Sequence, residues 1–319
     1  MHKKVEEILQ CVNKSNDPIS YARALLEATG ISTPPTDVIE ILKLLGIQMQ
    51  GFSYRGVPGY TAADDMRPLS RGWLRRDSNG DLIMIHKYTP SRAARFTLMH
   101  EVAHYLIPSH IAAGISEKLH IDDAALLRYE YEANAFAAEA LMPIKLFSND
   151  MSELLPGLGA VKYLADRNQT SLEATWNRYL SITPDACAIV CCEPVEKGRR
   201  SEFNVTYFNK SSSFEWVIAK KSTISKVDLR CALDKHEQGI IPTSLESWQL
   251  SLKGHEVFCC QAMVSNSMLS GRNGLLLFLL PRSRQTVLPT KAVSCTFKSG
   301  FTHVSKALND TFNRIDGLK

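Results

Sequence analysis

Apolar residues near the start of the chain recur every three to four positions, the spacing of helices that bury one face. This spacing predicts three short helices at residues 4–12, 20–28 and 37–45. Gly30 ends the second helix, and Thr36 stands where a capping residue of the third is expected. The chain therefore begins with helices.

Residues 47–87 change to a strand-like pattern. Within them, the sequence Ser78-Asn79-Gly80-Asp81 is typical of a hairpin turn and predicts pairing of residues 72–76 with 82–86. A small sheet should therefore follow the first helices.

Two longer helices follow the predicted sheet. The first begins at Thr89-Pro90, because threonine can cap a helix and proline suits its first position, and it ends near Pro108. The second begins at Asp122 or Asp123 and ends at Pro143.

Residues 158–180 contain two further helical segments, interrupted at residues 168–170, and their lengths resemble a helix-turn-helix. The second segment has Arg178 as its only basic residue. A helix that reads DNA normally makes several basic contacts to phosphate, so we expect these helices to form a structural linker and not to bind DNA directly.

The remainder of the chain is rich in strand patterns after the exposed connector at residues 197–200. Strands are predicted at residues 203–208, 216–220, 257–264, 275–280 and 293–297, and helices at 227–235 and 303–315. A mixed sheet with flanking helices fits a sensor-type domain of the GAF or PAS kind. We therefore predict an α+β protein with three parts, at residues 1–150, 151–184 and 185–319.

The composition of the 319 residues, 45% hydrophobic and 22% charged, is that of an ordinary globular protein. A net charge of +4 permits an acidic or nucleic-acid partner without arguing for one. The longest apolar run, residues 275–280, is too short to cross a bilayer, and the charged start of the chain predicts no signal peptide. The eight cysteines show no Cys-x-x-Cys spacing, so we expect reduced thiols in a cytoplasmic protein.

The first long helix contains the motif His100-Glu101-x-x-His104. At about 100° per residue, the two histidines share one face and can bind one metal ion, while Glu101 points aside and is not a ligand. Most of this helix is apolar, so these polar side chains need a partner in the core. We predict a zinc site in which His100 and His104 are ligands and Glu101 takes a proton from the zinc-bound water.

A catalytic zinc ion usually has a third protein ligand. In the second long helix, Glu130 falls on a face of leucines and alanines, whereas Glu132 falls on the opposite, solvated face with Glu139. Glu130 is therefore the predicted third ligand. Asn134, one turn later, is a candidate for orienting a ligand or the substrate.

His110 is the alternative third ligand. Its distance in sequence from His104 is that of the third histidine in the metzincin motif. That motif needs a glycine to turn the backbone toward the metal, and this chain has Ile107 there.

Two segments resemble the ImmA/IrrE family of zinc metallopeptidases: residues 95–104 and the sequence Glu130-x-x-Ala133-Asn134-x-Phe136-Ala137-Ala138-Glu139-x-Leu141-Met142-Pro143. The resemblance covers residues 36–145 and departs at Met99 and Ala103, where alanine and glycine are common in the family. It implies a zincin-like domain with His100, Glu101, His104 and Glu130 at the metal site. It also implies a helical middle region and a C-terminal GAF-like domain that receives a signal.

The resemblance further implies an endopeptidase that cuts, or relieves repression by, an Xre-type helix-turn-helix repressor. In this hypothesis the substrate lies extended along an edge strand, which we place at residues 82–85. Two alternatives stay open at this point. The chain could bind a repressor without cutting it, or it could be the toxin of a toxin–antitoxin or phage-defence pair.

Overall fold

The structure, a computed structural model, describes residues 3–12, 17–53, 71–77, 80–87, 89–112, 123–195, 202–226, 229, 240–250, 252–253, 255–266 and 273–282. The chain divides into two compact units. The first unit contains the described residues of Met1–Phe147 together with Arg167–Ser171. The second contains Ser148–Asp166 and the described residues of Leu172–Val293.

The first unit begins with the three predicted helices, α1 (Lys3–Val12), α2 (Pro18–Thr29) and α3 (Val38–Leu45). The cap of α3 is not Thr36 as predicted. The side chain of Asp37 accepts hydrogen bonds from the amides of Ile39 and Glu40. Thr36 is buried, and its hydroxyl donates to the carbonyl of Ala140 at 2.7 Å. Threonine and aspartate can both cap a helix, so burial decides between these neighbours.

Strands β1 (Gln48–Phe52), β2 (Gly72–Asp77) and β3 (Gly80–His86) form a small sheet in the order β1-β3-β2. β2 and β3 are the predicted antiparallel hairpin, and Gly80 takes a φ of 116° at its turn. β1 pairs with β3 in parallel. Residues 82–85 thus lie in the central strand, and the prediction that they form an edge is wrong. The edges of this sheet, within the described residues, are β1 and β2.

Four helices follow the small sheet: α4 (Ser91–Leu106), α5 (Pro108–Ala112), α6 (Asp123–Leu141) and α7 (Ile144–Ser152). Pro90 occupies the N-cap of α4, and no side chain caps this helix, so the prediction for Thr89 is wrong. Helix α7 was not predicted. The amide of Phe147, in its first turn, donates a hydrogen bond to the carbonyl of Pro143. Pro143 can stand at the start of this helix because a residue there needs no amide proton.

Helices α8 (Leu158–Asn168) and α9 (Leu172–Ile182) form as the sequence predicted. The second unit contains α8 as far as Asp166 and the whole of α9. Its six described strands are β4 (Ala188–Pro194), β5 (Glu202–Lys210), β6 (Thr223–Ser225), β7 (Ile240–Glu246), β8 (Val257–Asn266) and β9 (Asn273–Pro281). Their order is β6-β5-β4-β9-β8-β7.

Every described pairing in this six-stranded sheet is antiparallel. The predicted mixed sheet is therefore wrong for these strands. Connections as short as those from β4 to β5 and from β8 to β9 form hairpins, whereas a parallel pair needs a crossover of about a dozen residues or more. Residues 216–220 are not a strand either. The helices predicted at 227–235 and 303–315 and the strand at 293–297 lie outside the described residues, apart from Leu229.

The sheet of the second unit is buried on both faces along β9. Leu275, Leu277 and Leu279 belong to a core that includes Phe214. On the other face, Phe278 contacts the ring of Tyr179 on α9, with 6.0 Å between ring centroids. Burial on both faces explains the continuous apolar run of this strand. Within the described part of the chain, no helix has the length and apolar character that crossing a membrane requires.

Candidate metal site

Helix α4 contributes two histidines to a candidate metal site. The Nε2 atoms of His100 and His104 lie 3.1 Å apart. Two ligand atoms of a tetrahedral zinc ion are ~3.4 Å apart when the zinc–nitrogen bonds have their ordinary length. The spacing of these two nitrogens therefore suits ligands of one ion.

Helix α6 brings a carboxylate to the same point. Glu130 Oε2 lies 3.2 Å from Nε2 of His100, and Glu130 Oε1 lies 3.8 Å from Nε2 of His104. One donor atom from each of these three residues lies within 4.8 Å of the others. The Glu130 side chain is 43% exposed, so the site is accessible to solvent at this residue within the described part of the chain. The structure thus brings together the three residues that the sequence predicted as ligands.

Asn134 lies one turn beyond Glu130 and contacts the other ring nitrogen of His100. Its Oδ1 is 3.0 Å from His100 Nδ1. An amide oxygen only accepts hydrogen bonds, so Nδ1 of His100 carries the proton and the neutral ring has its lone pair on Nε2. That lone pair faces His104 and Glu130. A metal ligand needs this orientation.

The pKa values of the two histidines shift in opposite directions. Burial lowers the pKa of His100, but the hydrogen bond that a protonated Nε2 donates to Glu130 and the charge of Glu101 outweigh this effect and raise the pKa overall. The pKa of His104 is lowered, first by burial and then by the neighbouring His100 and His110. His104 is therefore held in the neutral form, in which imidazole binds metals.

Glu101 follows His100 on α4 and is buried, with 8% of its surface exposed. It is not one of the three residues whose donor atoms converge within the described part of the chain. Its negative charge nevertheless contributes to the raised pKa of His100. Glu101 thus lies directly next to His100 on the helix that contributes two of the candidate ligands.

His110, the alternative ligand, lies on α5 behind His104. Its Nδ1 is 2.9 Å from His104 Nδ1, and its Nε2 is 2.9 Å from Glu132 Oε2. These contacts direct both ring nitrogens of His110 away from the point where the candidate ligands converge. His110 therefore contacts a candidate ligand and does not join the group itself.

The prediction that Glu132 and Glu139 lie on a solvated face is wrong. The side chain of Glu132 is only 19% exposed because His110 packs against it. Glu139 is buried, and its carboxylate pairs with Nε of Arg23 at 3.0 Å. A helical wheel shows which residues share a face, but it does not show which other helices cover that face.

Arg95 fixes the first half of α4, five residues before His100, and the sequence did not single it out as a positioning residue. The side chain is buried, Nη2 donates to the carbonyl of Thr36 at 2.6 Å, and Nε donates to the carbonyl of Gln169 at 3.1 Å. Burial lowers the pKa of Arg95 to about 10. An arginine in an otherwise apolar helix is the signal that could have identified it, because a buried guanidinium needs acceptors.

Comparison with known families matches residues 66–179 to the IrrE N-terminal-like domain of peptidase family M78. The matched segment includes His100, Glu101, His104 and Glu130. No curated protein matches the chain.

Among solved structures, a Mycobacterium tuberculosis transcriptional regulator resembles the chain with a TM-score of 0.53 and 12% sequence identity. The alignment covers 87% of this chain and 81% of that one. At this identity the likeness shows a shared fold.

Proposed function

Because the chain carries an IrrE N-terminal-like domain and so falls in the ImmA/IrrE family, we propose that it is a zinc-dependent endopeptidase. Its proposed substrate is an Xre-type helix-turn-helix repressor, which it cuts in the cytoplasm in response to a signal. The observation that carries the proposal is the convergence of His100, His104 and Glu130 beside the buried Glu101. Two imidazoles and one carboxylate are a donor set of catalytic zinc sites, which also keep one position open to solvent.

Each residue of the site has a separate task in this proposal. His100, His104 and Glu130 would hold zinc, which supplies a Lewis acid that polarises the peptide carbonyl and acidifies a water molecule. Glu101 takes a proton from the attacking water and delivers it to the leaving amine. Asn134 keeps His100 oriented through the hydrogen bond to its Nδ1.

The substrate chain is proposed to pair with the edge strand β2, in place of residues 82–85. β2 begins beside the metal-site helix, since a Cβ atom at Gly72 would lie 2.6 Å from Cγ2 of Thr97 on α4. Thr97 is one turn before Glu101. An extended peptide added to β2 would form main-chain hydrogen bonds close to the carboxylate that transfers the proton.

A role for the second unit as a signal receiver is part of the same proposal. It has a core of its own beneath an antiparallel sheet, and α9 and most of α8 belong to it. A GAF-like or PAS-like sensor domain is the proposed identity of this unit. We propose that this unit does not bind DNA directly.

The substitution Glu101→Gln tests the mechanism. It removes the proton acceptor but none of the proposed ligands, so the variant should keep one zinc per chain and lose cleavage of a purified helix-turn-helix repressor by at least about 100-fold. Metal analysis and electrophoresis of the repressor measure the two effects. Glu27→Gln, at an exposed carboxylate on α2, is the matched control and should cleave normally. Undiminished cleavage by Glu101→Gln would reject the mechanism.

A regulatory protein that binds a repressor without cutting it is the second candidate. The solved structure of similar fold bears the name transcriptional regulator, which fits such a role. Zinc in both wild type and Glu101→Gln, with repressor binding but no cleavage by either, would favour this candidate.

A further inference from the structure

A continuous row of polar contacts leads from His104 away from the candidate metal site. His104 Nδ1 is 2.9 Å from His110 Nδ1, and His110 Nε2 is 2.9 Å from Glu132 Oε2. The His110 side chain is fully buried and that of Glu132 is 19% exposed. A buried imidazole is retained at such a position only when its polar atoms have partners.

Only one arrangement of protons satisfies this row with neutral histidines. An ionised carboxylate can only accept a hydrogen bond, so Nε2 of His110 donates to Glu132. The Nδ1 atom of neutral His110 then carries a lone pair and accepts a hydrogen bond from the protonated Nδ1 of His104. The Nε2 atom of His104 is consequently left with its lone pair, and this atom faces His100 and Glu130.

We propose that His110 and Glu132 are positioning residues, which hold His104 in the tautomer and the ring orientation that bind the metal. The inference rests on the zinc site of the proposed function and extends it to two residues outside the ligand set. Hydrogen bonds from a ligand histidine to a second polar group fix its orientation and make it a better donor.

Neighbouring side chains hold the row in place. Arg128 Nε lies 3.4 Å from Oε1 of Glu132, one helical turn away, and leaves Oε2 for His110. The ring of Tyr129 packs edge-on against His110, with 4.9 Å between ring centroids. The rings of His104 and His110 lie 5.0 Å apart. The row thus joins helices α4, α5 and α6, and its geometry is set by packing on both sides of His110.

The two histidine ligands would be supported differently. His100 donates to the neutral amide of the exposed Asn134, whereas His104 donates to a buried ring backed by a carboxylate. A hydrogen bond supported by an ionised group is stronger than one between two neutral groups. Loss of the row should therefore weaken the metal site without removing any of its ligands.

The test is zinc affinity, measured on the full chain by competition with a chromophoric chelator. His110→Phe should retain one zinc per chain but bind it about 10- to 100-fold more weakly. Glu132→Gln should bind zinc more weakly by a smaller factor. His110→Asn should recover most of the affinity, because its side-chain oxygen can accept the hydrogen bond from Nδ1 of His104 that Nδ1 of His110 accepts. His255→Phe, at an exposed histidine of the second unit, is the matched control.

The imidazole ¹⁵N spectrum of the zinc-loaded wild type gives a readout that a purely structural role would not produce. We expect protonated nitrogens at Nδ1 of His104 and Nε2 of His110. A proton on Nδ1 of His110, or unchanged affinity in both His110→Phe and Glu132→Gln, would overturn the proposal. Loss of zinc stoichiometry in His110→Asn would make His110 a ligand and also overturn it. If His110→Phe does not fold, Glu132→Gln and the spectrum decide. Absence of zinc from the wild type would instead reject the proposed function.

Discussion

At the scale of single residues, His104 makes the stability of the metal-free protein depend on pH. Its pKa in the folded chain lies below the ordinary value of 6.5, chiefly because it is buried. The unfolded chain therefore binds more protons than the folded one as the pH falls below about 6.5, and stability falls with it.

The free energy of unfolding should fall by about 1 kcal/mol for each pH unit below about 6.5, until the pKa of His104 in the folded chain is reached. Urea unfolding of the zinc-free protein at pH 7.5 and 5.5 measures it. His104→Gln should lose clearly less stability between these pH values than the wild type does. An equal loss in both proteins would contradict the assignment of this dependence to His104.

The sequence predicted the part of the candidate site that depends on local geometry. His100, Glu101 and His104 lie on one helix, and a period of 3.6 residues fixes their relative directions. Glu130 could be found because it is a carboxylate on an apolar face. Glu132 could not be interpreted in this way, because its partner His110 lies on another helix and the packing of that helix is a tertiary property.

At the scale of secondary-structure elements, the contact of β2 with α4 depends on the absence of a side chain at Gly72. An added Cβ would lie 2.6 Å from Cγ2 of Thr97, 3.0 Å from Cδ1 of Ile85 and 3.1 Å from the carbonyl oxygen of Met84. Gly72→Ala should therefore lower the free energy of unfolding by about 1–3 kcal/mol, as overpacking does elsewhere.

Thr97→Ser removes the nearest obstructing carbon and retains a hydroxyl that can bond to the carbonyl of Ala93. In the Gly72→Ala background it should recover part of the lost stability, whereas alone it should have little effect. Denaturant unfolding of the two single variants and the double variant measures this coupling. Full additivity of the two substitutions would show that the contact does not limit the packing of β2 on α4.

The elements that the sequence misjudged share a physical cause. Residues 216–220 have apolar positions that suit a strand, but Ile218 is buried in the core of the second unit without strand pairing. Strand β7 was not predicted from the sequence and contains Pro242; at the edge of the described sheet, a missing amide proton is tolerated. The pattern of apolar residues and prolines shows which positions can be buried and which lack an amide proton. Whether a segment pairs as a strand depends on the segments that lie beside it in the folded chain.

At the scale of the whole molecule, the candidate metal site and the six-stranded sheet belong to different units. Within the second unit, Gln261 on β8 accepts a hydrogen bond from the amide of Leu158 at 2.7 Å and so holds the first turn of α8. Gln261→Ala should lower the free energy of unfolding by about 1–2 kcal/mol, because it leaves this amide without its partner. Zinc affinity should stay within about twofold of the wild type, since a hydrogen-bond change of this size acts locally.

Thermal unfolding and chelator competition on the same variant measure the two quantities. Gln50→Ala, at an exposed position on β1, is the matched control and should change neither. A parallel loss of zinc affinity in Gln261→Ala would show that the two units unfold and bind metal as one cooperative structure.

The placement of the candidate ligands on two helices has a further consequence for the chain as a polymer. An ion held by His100 and Glu130 would join two points separated by 30 residues, as a covalent cross-link would. Closing such a loop removes conformational freedom from the unfolded chain. The described cysteines are all free thiols. Zinc would therefore act as a cross-link that a reducing environment leaves intact and that acid releases.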